Sequence, residues 1–403
     1  MFSQSAVRPF GPTSTPILVI AAKSATLEGL GKSNPNLSHV RGLDSIRFVC
    51  ALWVLFSHLG GFPLLSGINL NSFWGKAAKG LYGGFYNGPA AVIIFFVVSG
   101  FCIHYPHRKS ERVQIPVFLA RRYLRIGVPL VVAMLLGVWL NAPALLIQPG
   151  SLVIALHKVR MIEDSDVGVV WSLVCELIYY SIYPLLLLTI RKWGWKMTLG
   201  AAYVMALGIV LLRPNAHSYP AFGNLLTWIL GLPCWLLGCR LAESLEKAEP
   251  DSISSRQIWS SRFIVWTVSA AVLFFRFHTP IGYPWTLTIF GILGFWWLRT
   301  EIIYHFAKAP WPALEWLGTW SYSIYLGHVL AQPFLSRMGI PTDFFALGPA
   351  LNWFVKTLAV LIFCFGFYTL VELPSHLAAR LVSRKLSVLS QNQRGGLCAT
   401  QKL

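Results

Sequence analysis

Residues 43–58 read LDSIRFVCALWVLFSH. The positions between Arg47 and His58 are almost all apolar, and the stretch extends to residue 65. It therefore reaches the 20 or so residues that a helix needs to cross about 30 Å of hydrocarbon. Arg47 and His58 are eleven residues apart, which places them on one helical face with a rise of about 16 Å. The segment predicts a membrane-spanning helix that carries two ionisable side chains, Arg47 and His58, on the same face.

The composition of the whole chain supports this interpretation. Of 403 residues, 55% are hydrophobic and only 12% are charged, and the mean hydropathy is +0.60. A soluble domain carries about 25% charged residues, so soluble, disordered, collagenous and disulfide-rich classes are excluded. The 33 Lys and Arg exceed the 15 Asp and Glu by a net charge of +18. On so apolar a chain, we interpret this basic excess as a signal that orients the protein in the membrane. No nucleic-acid partner is expected.

Apolar stretches long enough to cross a bilayer recur along the chain. Ten are predicted, near residues 44–65, 88–105, 122–141, 170–190, 197–213, 221–241, 262–277, 283–299, 313–335 and 350–373. The loops between them are mostly short. The sequence therefore predicts an all-α, polytopic helical bundle of about ten transmembrane helices, with no separate soluble domain.

The basic residues predict the orientation of these spans. With ten spans, 25 of the 33 Lys and Arg fall on the side that also holds both termini. Retained positive charge marks the cytoplasm, so both termini are expected inside. This gives three regions: a disordered cytoplasmic tail at 1–42, a ten-span membrane domain at 43–380 and a cytoplasmic tail at 381–403. A bacterial inner (cytoplasmic) membrane is the expected location.

Ionisable side chains at membrane depth cost about 2.5–3.5 kcal/mol each, so each one is a functional candidate. Glu176 lies about one and a half turns below the outer surface, at a height similar to that of His58 and His328. Ser321, Tyr325 and His328 share a helical face at i, i+4 and i+7. A buried carboxylate needs a partner, and histidine is a suitable one. The alternative is a structural polar network that joins the helices.

A basic cluster, Arg121-Arg122-Tyr123-Leu124-Arg125, opens the third predicted span. Arg122 and Arg125 face one way, which favours an anion site where guanidinium groups bind phosphates near a helix N-terminus. The alternative is a charge block that only orients the helix. No metal-ligand spacing is present, and six cysteines lie in apolar spans as packing thiols, so no metal site is expected.

Six short motifs resemble those of the acyltransferase-3 family of integral-membrane acyltransferases, over about residues 41–380. In chain order they are LDSIR (43–47) with His58 eleven residues after Arg47, FFVVSGF (95–101), RYLR (122–125), WSLVCE (171–176), SYSIYLGH (321–328) and ELP (372–374). Many members carry a second acidic residue beside the glutamate of the fourth span. Here Cys175 and Leu177 flank Glu176, so a single acid is expected to assist the histidine.

The resemblance implies an O-acyltransferase, most often an O-acetyltransferase. It would move an acyl group from acyl-CoA, a co-substrate and not a permanently bound cofactor, to a hydroxyl of a carbohydrate, glycolipid or polysaccharide precursor. His58 would act as general base or as nucleophile, with Glu176 orienting it. The donor would be held by the basic side chains and by the serine of the second motif: Arg47, Arg121, Arg122, Arg125 and Ser99. Tyr325, Ser321 and His328 would stabilise the oxyanion or position the acceptor.

Two other classes of function remain possible from the sequence. A proton-coupled transporter or flippase would use His58, Glu176 and His328 as a proton relay, although no internal repeat is evident. A helical scaffold without chemistry is the third. The acceptor, the acyl length and the oligomeric state, a homo-oligomer included, are left open.

Overall fold

The computed structural model describes residues 40–110, 113–141, 168–223, 225–247, 249, 253–341 and 348–400, and every regular element within them is helical. The all-α prediction is confirmed. The α-helices are α1 (Leu43–Leu59), α2 (Phe73–Gly84), α3 (Gly88–His104), α4 (Ile115–Arg122), α5 (Val128–Asn141), α6 (Val170–Leu212), α7 (Thr227–Ser244), α8 (Ser255–His278), α9 (Tyr283–Ala307), α10 (Pro312–Gly318), α11 (Ser321–Arg337), α12 (Pro349–Phe367) and α13 (Leu373–Thr400).

Among the described residues, six helical stretches are long and apolar enough to cross a membrane. They are Phe73–His107, Ile115–Leu140, Val170–Leu212, Ser255–His278, Tyr283–Ala307 and Pro349–Leu389. Helices α1, α7 and α11 coincide with three other predicted spans but are not among the six. Both α1 and α11 have 17 residues and rise only about 25 Å. The count of ten spans and the cytoplasmic termini therefore stay predictions.

Two predicted spans meet in the 43-residue α6. At Gly194 the backbone takes φ 75° and ψ 172°, values that glycine adopts without a steric penalty. The helix changes direction there, between the predicted spans 170–190 and 197–213. Conversely, the predicted span 313–335 is divided at residues 319–320 into α10 and α11.

Helix α3 lies at the centre of the bundle. It is apolar on all sides, and most of its residues are buried, which is typical of a helix surrounded by others. Its closest neighbour is α7, because two glycines allow the backbones to touch. A Cβ at Gly100 would lie 1.9 Å from the Trp235 carbonyl oxygen, and one at Gly238 would lie 2.0 Å from that of Val97.

Both ends of α1 are held by other helices. At the start, the Glu315 carboxylate of α10 accepts from the Ser45 backbone N–H at 2.9 Å and from the Ser45 hydroxyl at 2.6 Å. It thereby satisfies N–H groups that a helix N-terminus leaves unpaired. At the other end, the Trp353 indole N–H donates to the Gly60 carbonyl at 2.9 Å. These contacts fix the helix that carries Arg47 and His58.

The two expected tails differ in how much of them the structure describes. Residues 1–39 and 401–403 lie outside the described residues, and α1 begins at Leu43. At the other end, α13 continues from Leu373 to Thr400. The expected boundary at residue 381 therefore coincides with no break in the helix.

Candidate active site

A cavity of about 140 Å³ lies between α1, α3, α6, α11 and the two helix junctions at α4–α5 and α12–α13. Its charged and polar lining comes from six separate parts of the chain. These side chains are Arg47, Ser99, Arg122, Arg125, Ser172, Glu176, Tyr180, Ser321, Tyr322, Tyr325, Glu372 and His376. The cavity brings together seven of the residues predicted from sequence for the donor, the catalyst or the oxyanion.

Arg122 and Arg125 reach the cavity because the helix widens at this point. A π-helical turn, Tyr123–Gly127, joins α4 to α5. Pro129, two residues further, has no N–H for the Arg125 carbonyl and would clash with it in a regular helix. The widened turn relieves that conflict, and the Ser375 hydroxyl approaches the Arg125 oxygen at 3.5 Å. Turns of this kind are frequent at functional sites.

A second π-helical turn, Tyr368–Glu372, stands two residues before Pro374 and also borders the cavity. Glu372 is 1% exposed and accepts from the Ser323 hydroxyl at 2.5 Å and the Ser323 N–H at 3.1 Å. The His376 Nε2 lies 3.4 Å from the Glu372 carboxylate and accepts from the Arg125 Nε–H at 3.2 Å. The hydrogen bond to His376 therefore holds the Arg125 side chain beside Glu372.

The guanidinium groups differ in their partners. Arg47 forms an ion pair with Asp44 at 3.2 Å, whereas Arg122 forms no ion pair or hydrogen bond with any described residue and packs against the Phe118 ring at 6.0 Å. Arg121 is exposed and is not among the described residues that line the cavity. Of the expected donor residues, Arg47, Ser99, Arg122 and Arg125 are together, and Arg121 lies outside.

Glu176 lines this cavity, and its hydrogen bonds are formed with other cavity residues. Its Oε1 accepts from the Ser99 hydroxyl at 2.5 Å and from the Tyr180 hydroxyl at 2.5 Å. Within the described part of the chain, no hydrogen bond or ion pair joins Glu176 to His58. The expectation that Glu176 orients His58 therefore does not match this geometry. The reason is that Ser99, on α3, lies beside the Glu176 carboxylate and donates a hydrogen bond to it.

The two hydroxyls predicted to stabilise the oxyanion, those of Tyr325 and Ser321, differ in their hydrogen bonds. The Tyr325 hydroxyl contacts the Ser172 hydroxyl at 2.5 Å and the Val169 carbonyl at 3.1 Å, so its proton already has acceptors. Ser321 is 1% exposed, and its hydroxyl has no hydrogen-bond partner among the described residues. Because a buried polar group normally has a partner, Ser321 is the better placed of the two to bind a ligand in the cavity.

His58 lies beyond the cavity, beside His328. The His58 Nδ1 is 3.2 Å from the His328 Nε2, and the ring centroids are 5.0 Å apart. His328 is 6% exposed, whereas His58 is exposed at the end of α1. Neither histidine is among the described residues that line the cavity, whereas Tyr325 and Phe95, with ring centroids 5.6 Å apart, both line it.

Five polar cavity residues were not assigned a role from the sequence: Ser172, Tyr180, Tyr322, Glu372 and His376. Glu372 was visible in the ELP motif, and His376 follows it by four residues, hence on the same face. Tyr322 donates to the Ile126 carbonyl in the first π-helical turn at 2.9 Å. No local pattern indicates this contact, since it joins residues 196 positions apart.

Comparison with known proteins identifies the chain. A family model described as an acyltransferase domain, acyltransferase-3, matches residues 40–369. The chain belongs to this acyltransferase-3 family. The resemblance drawn from the sequence motifs is thus confirmed, and the apolar helices make this member a multi-pass membrane protein.

Two curated members of the acyltransferase-3 family are similar to the chain. Nodulation protein 10 of Rhizobium leguminosarum bv. viciae is 24% identical over 392 residues, which cover 89% of this chain and 100% of the relative. The peptidoglycan O-acetyltransferase OatA of Listeria monocytogenes serovar 1/2a is 26% identical over 329 residues, 72% of this chain. That match covers 49% of OatA's own length. No solved structure matches the chain.

Proposed function

We propose that the protein is a membrane O-acyltransferase, in the first instance an O-acetyltransferase, that uses acyl-CoA and acylates a hydroxyl of a carbohydrate or glycoconjugate. The observation that carries the proposal is that one cavity holds three guanidinium groups, of which Arg122 forms no hydrogen bond or ion pair with any described residue. The helix bearing Arg47 also bears His58. Membership of an acyltransferase family and similarity to a named peptidoglycan O-acetyltransferase support it.

The donor would bind with its phosphates in the cavity. Guanidinium groups bind phosphates through paired, charge-assisted hydrogen bonds, and Arg122 and Arg125 are directed into the same space. The acyl-bearing arm would then run along α1 for about 16 Å, past Tyr325 and Phe95, to His58. Ser99 and Ser321 would bind polar atoms of the arm. The proposal includes ten membrane spans, cytoplasmic termini and a bacterial inner membrane. This topology puts the nucleotide end of the donor on the cytoplasmic side.

At the other end, His58 would take the proton of the acceptor hydroxyl as the oxygen attacks the thioester, or would itself accept the acyl group. Its exposed position is accessible to an acceptor from outside or from the membrane. A proton-coupled transporter would need Glu176 within the same relay as the two histidines. The hydrogen bonds of Glu176 run instead to Ser99 and Tyr180.

The direct test is transfer of label by the purified protein in lipid nanodiscs, with radiolabelled acetyl-CoA and a soluble oligosaccharide acceptor. We expect an alkali-labile, acetylated product and release of free thiol. Acetyl-pantetheine, which lacks the phosphates, should give the same product with a KM at least tenfold higher. Equal KM values for the two donors would contradict the phosphate site. The absence of transfer from acetyl-CoA with oligosaccharides, glycolipids and peptidoglycan fragments would contradict the function.

A further inference from the structure

Two histidines that are 270 residues apart in the chain form a directed hydrogen-bond pair. The His328 Nδ1 lies 2.9 Å from the Ile324 carbonyl. A carbonyl oxygen only accepts, so this nitrogen carries the ring proton. In a neutral imidazole the other nitrogen is then bare, and the His328 Nε2 is an acceptor.

This arrangement determines which ring nitrogen of His58 carries the proton. Its Nδ1 faces two acceptors, the His328 Nε2 at 3.2 Å and the Val54 carbonyl at 3.0 Å. The Nδ1 must therefore carry the proton, and the Nε2 of the exposed His58 ring is left with a free lone pair. This is the tautomer that a general base or a nucleophile needs at its reacting atom.

We infer that His328 is the positioning residue of the acyl-transfer centre, a neutral imidazole that fixes the His58 tautomer and accepts from its Nδ1–H. This inference rests on the proposed function. It gives His328 the place that a carboxylate occupies in a Ser-His-Asp triad, a place that the sequence had assigned to Glu176.

The proton balance of the step is simple. When the acceptor oxygen attacks the thioester carbon, its proton passes to the His58 Nε2, and the resulting imidazolium shares its Nδ1 proton with the His328 Nε2. The C–S bond then breaks, and the thiolate of coenzyme A takes a proton from the His58 Nε2. Both histidines are neutral again at the end, and the products are the ester and the free thiol.

Two substitutions of His328 separate positioning from packing. His328→Phe keeps a ring but removes the acceptor atom, whereas His328→Gln places an amide oxygen near the position of Nε2. We expect His328→Phe to lower kcat about 10–100-fold, the range typical of supporting residues, with the KM for acetyl-CoA unchanged. His328→Gln should keep at least a third of the wild-type kcat.

The wild-type protein, assayed in parallel, separates failure of this inference from failure of the proposed function. If the wild type transfers acetyl groups and His328→Phe has a wild-type kcat, the inference is wrong. Equal losses in the Phe and Gln variants, whether of kcat or of the folded protein judged by thermal unfolding, would assign His328 to packing and would also contradict it. Absence of transfer by the wild type would instead contradict the proposed function.

Discussion

The Ser99 hydroxyl donates a 2.5 Å hydrogen bond to the Glu176 carboxylate, and this contact joins α3 to α6 inside the arginine-lined cavity. The Tyr180 hydroxyl donates to the same oxygen. Glu176 therefore organises the cavity wall. We therefore expect a substitution of Glu176 to act first on the stability of this wall.

Replacing Glu176 separates its hydrogen bonds from its charge. Glu176→Ala leaves two hydroxyls without their acceptor, which we expect to lower the free energy of unfolding by about 1–3 kcal/mol. Glu176→Gln removes the charge but keeps an acceptor oxygen, so its loss should be at least about 1 kcal/mol smaller. Thermal unfolding in detergent compares the two, and equal destabilisation would show that the hydrogen bonds are not the main contribution.

The arginines of the first π-helical turn provide the test of the donor site. Arg122→Ala combined with Arg125→Ala should raise the KM for acetyl-CoA at least about 100-fold, because charge-assisted hydrogen bonds contribute about 1.5–3 kcal/mol each. The effect should largely disappear with acetyl-pantetheine as donor. Arg256→Ala, at an exposed position in the first turn of α8, is the matched control and should leave both KM values unchanged. An unchanged KM in the double variant would show that the block only orients the helix.

The contact between α3 and α7 depends on its glycines. Gly238→Ala would place a Cβ 2.0 Å from the Val97 carbonyl oxygen and 2.8 Å from the Phe101 nitrogen. Forcing these backbones apart should cost about 1–3 kcal/mol and displace Ser99, which lies on α3. Gly208→Ala in α6 meets nothing within 4 Å and should be neutral or stabilising by up to about 1 kcal/mol. Unfolding midpoints of the two variants check this, and similar midpoints would argue against close backbone packing.

The fold class could be predicted because apolar stretches of membrane length are a property of local sequence. Helices lie at the predicted ranges, and Arg122 and Arg125 line one cavity as their spacing indicated. Helix ends were harder to predict, since they depend on partners. Helix α1 ends at Leu59, just before Gly60 with φ 88°, and its first turn is capped by Glu315, which is 270 residues away from Ser45.

The pairing of side chains inside the bundle was the part that sequence reasoning could not supply. Depth along each span placed His58, Glu176 and His328 at similar heights, which is consistent with either histidine–acid or histidine–histidine contact. Which contact forms depends on how neighbouring helices are arranged around α3. There Ser99 and Tyr180 satisfy Glu176 and leave His328 as the partner of His58.

The most direct test of the central claim is the turnover of acetyl-CoA by His58→Ala. The matched control is His278→Ala. The His278 ring is also exposed in the last turn of a helix and bonds the carbonyl four residues earlier at 3.1 Å, but within the described part of the chain it forms no hydrogen bond with a second histidine. We expect His58→Ala to lower kcat at least 1000-fold with unchanged folding and a KM for acetyl-CoA within threefold of the wild type, and His278→Ala to retain full activity. A folded His58→Ala protein that still transfers acetyl groups at a rate near that of the wild type would contradict the account.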